Sequence, residues 1–184
     1  PLWPRGELKL GPILIFPFVT ARLGWTNNAF DQEDSGSSWF TDLGAGFTGS
    51  WNIAGGRGTL GFGYSYVWRN YFQADDLNYS QWVGGLSFTW NFPKGIWVQV
   101  GIKHERLVDP VQIDQAGKMT RDNLYPYLNL GFDNAFGNKI DIQAGVNGTQ
   151  QNFHEDEFST SDYQELNAYL RVAYPIIRDT TRIY

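Results

Sequence analysis

The stretch T-L-G-F-G-Y-S-Y-V-W, Thr59 to Trp68, decides the fold class. Leu60, Phe62, Tyr64, Tyr66 and Trp68 alternate with Thr59, Gly61, Gly63, Ser65 and Val67. A period of two puts every large ring on one face of a strand and the small or hydroxylated groups on the other. In a soluble sandwich the large face would pack inward, and the second face would carry charge to meet water. Here the second face carries almost none. Such a wall suits a barrel with lipid outside and water inside.

The same alternation recurs on both sides of that stretch. Upstream, Ile13–Thr26 sets Ile15, Pro17, Val19, Ala21, Leu23 and Trp25 against Thr20, Arg22 and Gly24. Pro17 marks an edge, bulge or seam position, because proline cannot donate to a ladder. Trp39–Asn52 sets Leu43, Ala45, Phe47 and Trp51 against Asp42, Gly44, Gly46, Thr48 and Ser50. Downstream, Tyr79–Phe92 gives Trp82, Leu86, Phe88 and Trp90 against Gln81, Gly85, Ser87 and Thr89. Ile96–Leu107 gives Val98, Val100 and Ile102 against Trp97, Gln99, Gly101 and Lys103. Three more follow: one through Leu124–Phe132 with Tyr125, Tyr127 and Asn129 facing in, one from Ile140 with Asp141, Gln143 and Asn147 inward, and one through Leu166–Tyr174 with Asn167, Tyr169 and Arg171 inward. Thr180–Tyr184 begins a ninth strand, and residues 1–11 read as a lead-in.

Tight turns near residues 56, 94, 136 and 177 recur about every 40 residues, the hairpin unit of a meander. They alternate with longer acidic loops at Asn27–Ser38, Gln73–Asn78, Val108–Arg121 and Asn152–Asp162. Strands of about 13 residues rise roughly 43 Å, and a tilt near 40° leaves about 33 Å along a membrane normal, enough for a 25 Å apolar band. Tryptophans sort by strand end. Trp25, Trp39, Trp68 and Trp82 lie beside long loops; Trp51, Trp90 and Trp97 lie beside short turns. Two aromatic belts match two membrane interfaces. The expectation is a single domain over residues 1–184: all-β, an antiparallel up-and-down transmembrane β-barrel of at least eight strands.

Composition narrows the chemistry. The 184 residues hold no cysteine, which removes disulfides and thiolate chemistry, and the net charge of −5 without a basic cluster argues against a nucleic-acid partner. Mean hydropathy is −0.38 and no run of 18 apolar residues occurs, so a transmembrane helix is excluded while membrane strands are not. The chain opens on Pro1, as expected of a processed or partial chain.

Two segments carry a resemblance to a known family. F-P-F-V-T-A-R-L-G-W-T-N-N-A-F (Phe16–Phe30) is similar to the entry strand of outer-membrane β-barrel porins of the type linked to exopolysaccharide or capsule export. D-Y-Q-E-L-N-A-Y-L-R-V-A-Y-P-I-I-R-D-T-T-R-I-Y (Asp162–Tyr184) resembles that family's strand–turn–Thr-x-x-Tyr hairpin. Asn27 stands where the family commonly has Asp. Family members usually have many more strands, so the resemblance implies a partial barrel. It also implies a bacterial outer-membrane location.

Motifs for catalysis do not assemble. Gly44, Gly46 and Gly49 spell G-x-G-x-x-G, but inside a strand, where a dinucleotide loop needs strand, turn and helix. His104-Glu105 begins a zinc-protease-like string that fails at Val108. No enzyme activity and no cofactor or metal are expected; Asp31, Glu33 and Asp34 give only a faint echo of a calcium loop. The inward set is Arg22, Asp42, Gln81, Trp97, Gln99, Lys103, Tyr127, Asn129, Asp141, Gln143, Asn147, Asn167, Tyr169 and Arg171. Amides with ring faces suit a hydroxyl-rich solute such as a saccharide. The expected function is therefore a channel for a polar solute, with lipid and lipopolysaccharide outside. The alternative is a non-conducting barrel within an envelope protein assembly.

Overall fold

The computed structural model describes residues 7–26, 37–73, 78–110, 118–134, 140–154, 162–177 and 181–183. They form one antiparallel up-and-down sheet of ten strands in sequence order. The strands are β1 (Leu8–Leu10), β2 (Ile13–Thr26), β3 (Ser38–Ile53), β4 (Gly58–Tyr71), β5 (Tyr79–Asn91), β6 (Ile96–Pro110), β7 (Lys118–Asn134), β8 (Ile140–Phe153), β9 (Tyr163–Ile177) and β10 (Thr181–Ile183). Among the described residues the first and last strands do not pair, so the sheet is an open wall. No described helix is long and apolar enough to cross a membrane.

The alternating stretches all became strands, with three boundary corrections. Leu8–Leu10, read as lead-in, folds back on Ile13–Ile15 through Gly11, whose φ is 61°. The expected loop Val108–Arg121 is shorter, because the β6–β7 ladder continues from Leu107↔Arg121 to Pro110↔Lys118. The last tight turn, expected near residue 177, meets a strand still running there, since β9 extends through Ile177. Of the short turns, Ala54–Gly56 and Pro93–Gly95 are tight three-residue turns with left-handed backbone inside them. Three successive positive φ values, at Ala54, Gly55 and Gly56, match the twist of the strands they join. The expected turn near 136 lies outside the described residues.

Register fixes the tilt. The row through Phe18 crosses Gly46, Ser65, Val83, Glu105, Asn123 and Gln151 to reach Tyr163, the first residue of β9. β2 continues eight residues above that row to Thr26, and β9 ends nine residues below the row shared by Ile13 and Ala168. Seven strand steps therefore carry a stagger of about 1.2 residues each, a tilt of roughly 40° at ordinary strand spacing.

The sheet has no dry core of the usual kind. Among the described residues the buried hydrophobic side chains are Phe40, Tyr71, Val108 and Ala173, while Leu86 is 50%, Val100 48% and Leu170 72% exposed. The buried polar side chains are Ser38, Glu105, Asn123 and Gln151. Burial is inverted relative to a water-soluble sheet.

Candidate functional site

Each face can be read off the ladders. One row of the apolar face runs Ile13, Trp51, Leu60, Phe88, Val100, Leu128, Val146, Ala168. The adjacent row of the other face runs Asn52, Thr59, Thr89, Gln99, Asn129, Gly145, Tyr169. All fourteen residues of the inward set share this second, polar face. Trp25, Trp39, Trp51, Trp68, Trp82 and Trp90 share the apolar one. Trp97, level with Trp90 along the strands, pairs with Gly131 on the polar face, so it leaves the belt. Trp51, Trp90 and Phe132 step down about one residue per strand, following the stagger. Trp82 and Trp90 stand eight residues apart on β5, Trp39 and Trp51 twelve apart on β3. At this tilt those separations are about 20 and 30 Å, which bracket a 25 Å apolar band.

The polar face binds its own side chains together along the wall. Near the long-loop end, Arg69 Nε and Nη2 donate to Asp42 Oδ1 and Oδ2 at 2.6 and 2.8 Å, a bidentate pair between register partners. The Arg69 guanidinium lies 4.3 Å from the centre of the Phe40 ring, and Arg22 approaches the same ring at 5.6 Å. On β6, Lys103 meets Glu105 Oε2 at 2.5 Å; Glu105 Oε1 accepts from Tyr125 at 2.9 Å and from Asn123 at 3.3 Å. Toward the short turns a ladder crosses four strands. Gln143 Nε2 donates to Tyr169 Oη at 2.8 Å, Tyr169 to Asn129 Oδ1 at 2.8 Å, and Asn129 Nδ2 to Gln99 Oε1 at 3.2 Å.

Glycine makes that ladder geometrically possible. Asn129, Gly145 and Tyr169 lie in one row, so the Tyr169 ring must pass over β8 to reach β7. A Cβ at Gly145 would fall against the ring and the Asn129 amide. Trp97 lies over Gly131 in the same way, its indole N–H donating to Asp133 Oδ1 at 3.1 Å, and Tyr127 lies over Gly101. The rings so seated lie close against the wall. Gly145→Val is expected to break the Tyr169–Asn129 bond and cost about 1–3 kcal/mol. Urea titration beside Tyr169→Phe would check it, since the two losses should not add.

Trp97, Asp133, Asp141, Gln143, Arg171 and Ala173 line a hollow of about 180 Å³ on this face. On the apolar face, the β7–β8 ladder skips Tyr125 and Pro126, and a notch of about 310 Å³ opens beside Leu124, Pro126, Gly148 and Leu166. At the long-loop border of that face Arg106 holds Asp122 at 2.8 and 2.7 Å, with His154 Nε2 2.8 Å from Asp122 Oδ2. His104 packs edge-on to Trp82 at 4.6 Å while Glu105 turns to the polar face, so the two never share a metal. Gly44 and Gly46 lie on the polar face and Gly49 on the other, under Phe62. Asp31, Glu33 and Asp34 fall outside the described residues.

Sequence reasoning missed Arg69, Glu105 and Asn123 as members of the site. Parity carried one step past Trp68, two past Lys103 and two back from Tyr125 would have found all three. The ladder seats Asn123 beside Glu105.

No family model, curated protein or solved structure matches this chain.

Proposed function

We propose that this chain forms wall of an outer-membrane β-barrel and that its polar face lines a wet lumen through which a polar solute passes. The supporting observation is the inverted burial: Leu170 stands 72% exposed while Glu105 and Asn123 are 7% and 2% exposed. Water alone would not stabilise that arrangement, because it leaves apolar area exposed on nearly every strand. Hydrocarbon accepts the apolar face, and the ladders satisfy the backbone groups between strands. The charge pairs Arg69–Asp42, between register partners, and Lys103–Glu105, along β6, lie within the polar face of the wall, as charges lining a wet lumen would. Amide groups and flat rings make a saccharide a suitable solute, and no covalent step is needed.

Charge also differs between the two ends. The connections after β2, β4, β6 and β8 carry ten Asp and Glu and no Lys or Arg; those at the opposite end carry Arg57, Lys94, Lys139 and Arg178 with one Asp. An acidic mouth concentrates cations. Protein reconstituted in planar bilayers should therefore give stepwise conductance with a reversal potential favouring cations, reduced by Asp75→Asn with Asp76→Asn. Absence of any conductance from folded, inserted protein would remove the channel reading.

A further inference from the structure

The apolar face carries charge at one place. Within β2 to β9, the Asp, Glu, Lys, Arg and His side chains described on that face are His104, Arg106 and Asp122. His154, the residue after β8, joins them through Asp122. All four stand together on β6 to β8 at the long-loop end. Arg106 and Asp122 share a row with Trp82, the belt residue of β5. The belt steps down about one residue per strand, so the border of the apolar band meets β7 near Leu124 and β8 between Gly148 and Gln150. Asp122 lies two residues, roughly 5 Å, beyond that border, in the layer where head groups sit.

The cluster fixes a guanidinium and leaves part of it unused. Asp122 accepts from Arg106 Nε and Nη2 at 2.8 and 2.7 Å, and His154 Nε2 lies 3.2 Å from Nη2. The Nη1 hydrogens have no partner among the described residues, and the side chain is 37% exposed. A guanidinium held by a carboxylate and turned to a head-group layer suits phosphate, whose oxygens accept charge-assisted bonds from it.

Two residues further down β7 the wall has its notch. The β7–β8 register is the same at Leu124↔Gln150 and at Tyr127↔Asn147, yet no pairing joins the strands across Tyr125 and Pro126. Thr120 O accepts from His154 N, so the even-numbered residues of β7 turn their backbone groups toward β8. At Pro126 the N–H is missing, and Gly148 opposite brings no side chain. A proline inside a covered strand without a bulge leaves a gap in the ladder. That gap is the hollow of about 310 Å³ beside Leu124, Pro126, Gly148 and Leu166, with Gln150 and Gln164 at its rim toward the long loops.

We infer that Arg106 and the notch bind one membrane lipid, its phosphate on the guanidinium and an acyl chain in the hollow beside Pro126. This rests on the membrane reading above. The charged group lies outside the border and the hollow at or below it, the order in which a lipid presents its head and chain. Free phosphate, lacking the chain, would fill only half of the site.

The test takes the folded full chain in mild detergent with phosphatidylglycerol or with diacylglycerol of the same chains, and native mass spectrometry counts what is retained. Phosphatidylglycerol is expected to be retained about tenfold better, and Arg106→Gln to remove that margin, the worth of one charge-assisted bond. Asp122→Asn separates binding from structure. It frees Arg106, so retention should hold or rise, whereas a merely structural ion pair would lose alike with either partner. Leu166 is 77% exposed, and Leu166→Trp fills the notch and should lower retention several-fold. Leu170→Trp, four residues along the same face, should leave it unchanged. Equal retention of the two lipids, unchanged retention in Arg106→Gln, or displacement by inorganic phosphate at equal concentration would overturn the inference. A chain that stays out of vesicles removes the membrane reading as well; an inserted chain without the lipid preference removes this site alone.

Discussion

Val146→Arg is expected to lower folding stability in a bilayer by about 2–4 kcal/mol, while Asn147→Arg, one residue along, changes it by about 0.5 kcal/mol or less. Val146 is 40% exposed and sits mid-band, in the row that carries Val100 and Leu128. Asn147 faces the opposite way, beside Tyr127 and Asn167. If the apolar face lies in hydrocarbon, a guanidinium at its middle must be dragged to an interface or hydrated through a defect. On the polar face the same group meets water and hydroxyls. A sheet that works in water would reverse the order, since replacing an exposed valine with arginine there is neutral or helps solubility. Urea titration of vesicle-inserted protein, followed by tryptophan emission, measures both variants. Equal losses would count against the two-solvent wall.

How far the sequence leads is clearest at β2 and at the β6–β7 loop. The expected Ile13–Thr26 coincides with the observed strand, because hydrophobic alternation and hydrogen bonding end together there. Between Val108 and Arg121 they part company. Charged and polar residues end the apolar pattern, yet the ladder runs on, held by backbone bonds that need no particular side chain. Which residues share a face was legible wherever large and small side chains alternate, since a one-residue slip would turn every side chain over; in Ile13–Phe18, apolar on both faces, it was not. Partnership was not. Asp42 and Arg69 are 27 residues apart, and only the register through the Ala54–Gly56 turn makes them neighbours. Trp97 shows both limits: its place along the strand puts it in the belt, and its parity takes it out.

The glycines inside strands give the second large effect, with opposite signs at two positions. Gly46 pairs with Ser65 on the polar face, and a Cβ there would stand 2.5 Å from Tyr64 O and 2.9 Å from Ser65 Cα. Both are backbone atoms of the adjacent strand. They can move only if the β3–β4 ladder opens, so Gly46→Ala is expected to cost about 3 kcal/mol. Gly85 lies on the same face, where the nearest atom to an added Cβ is Ile102 O at 3.5 Å, an ordinary contact. With no positive φ to forbid a side chain, Gly85→Ala should stabilise by about 0.4–1 kcal/mol by restricting the unfolded chain. Heat-dependent gel mobility in detergent orders the two against the parent. A dinucleotide loop would make Gly46 a matter of ligand affinity with little effect on stability. Close packing between strands makes it a matter of stability in the absence of any ligand, and Gly46→Ala melting at the parent temperature would refute that packing.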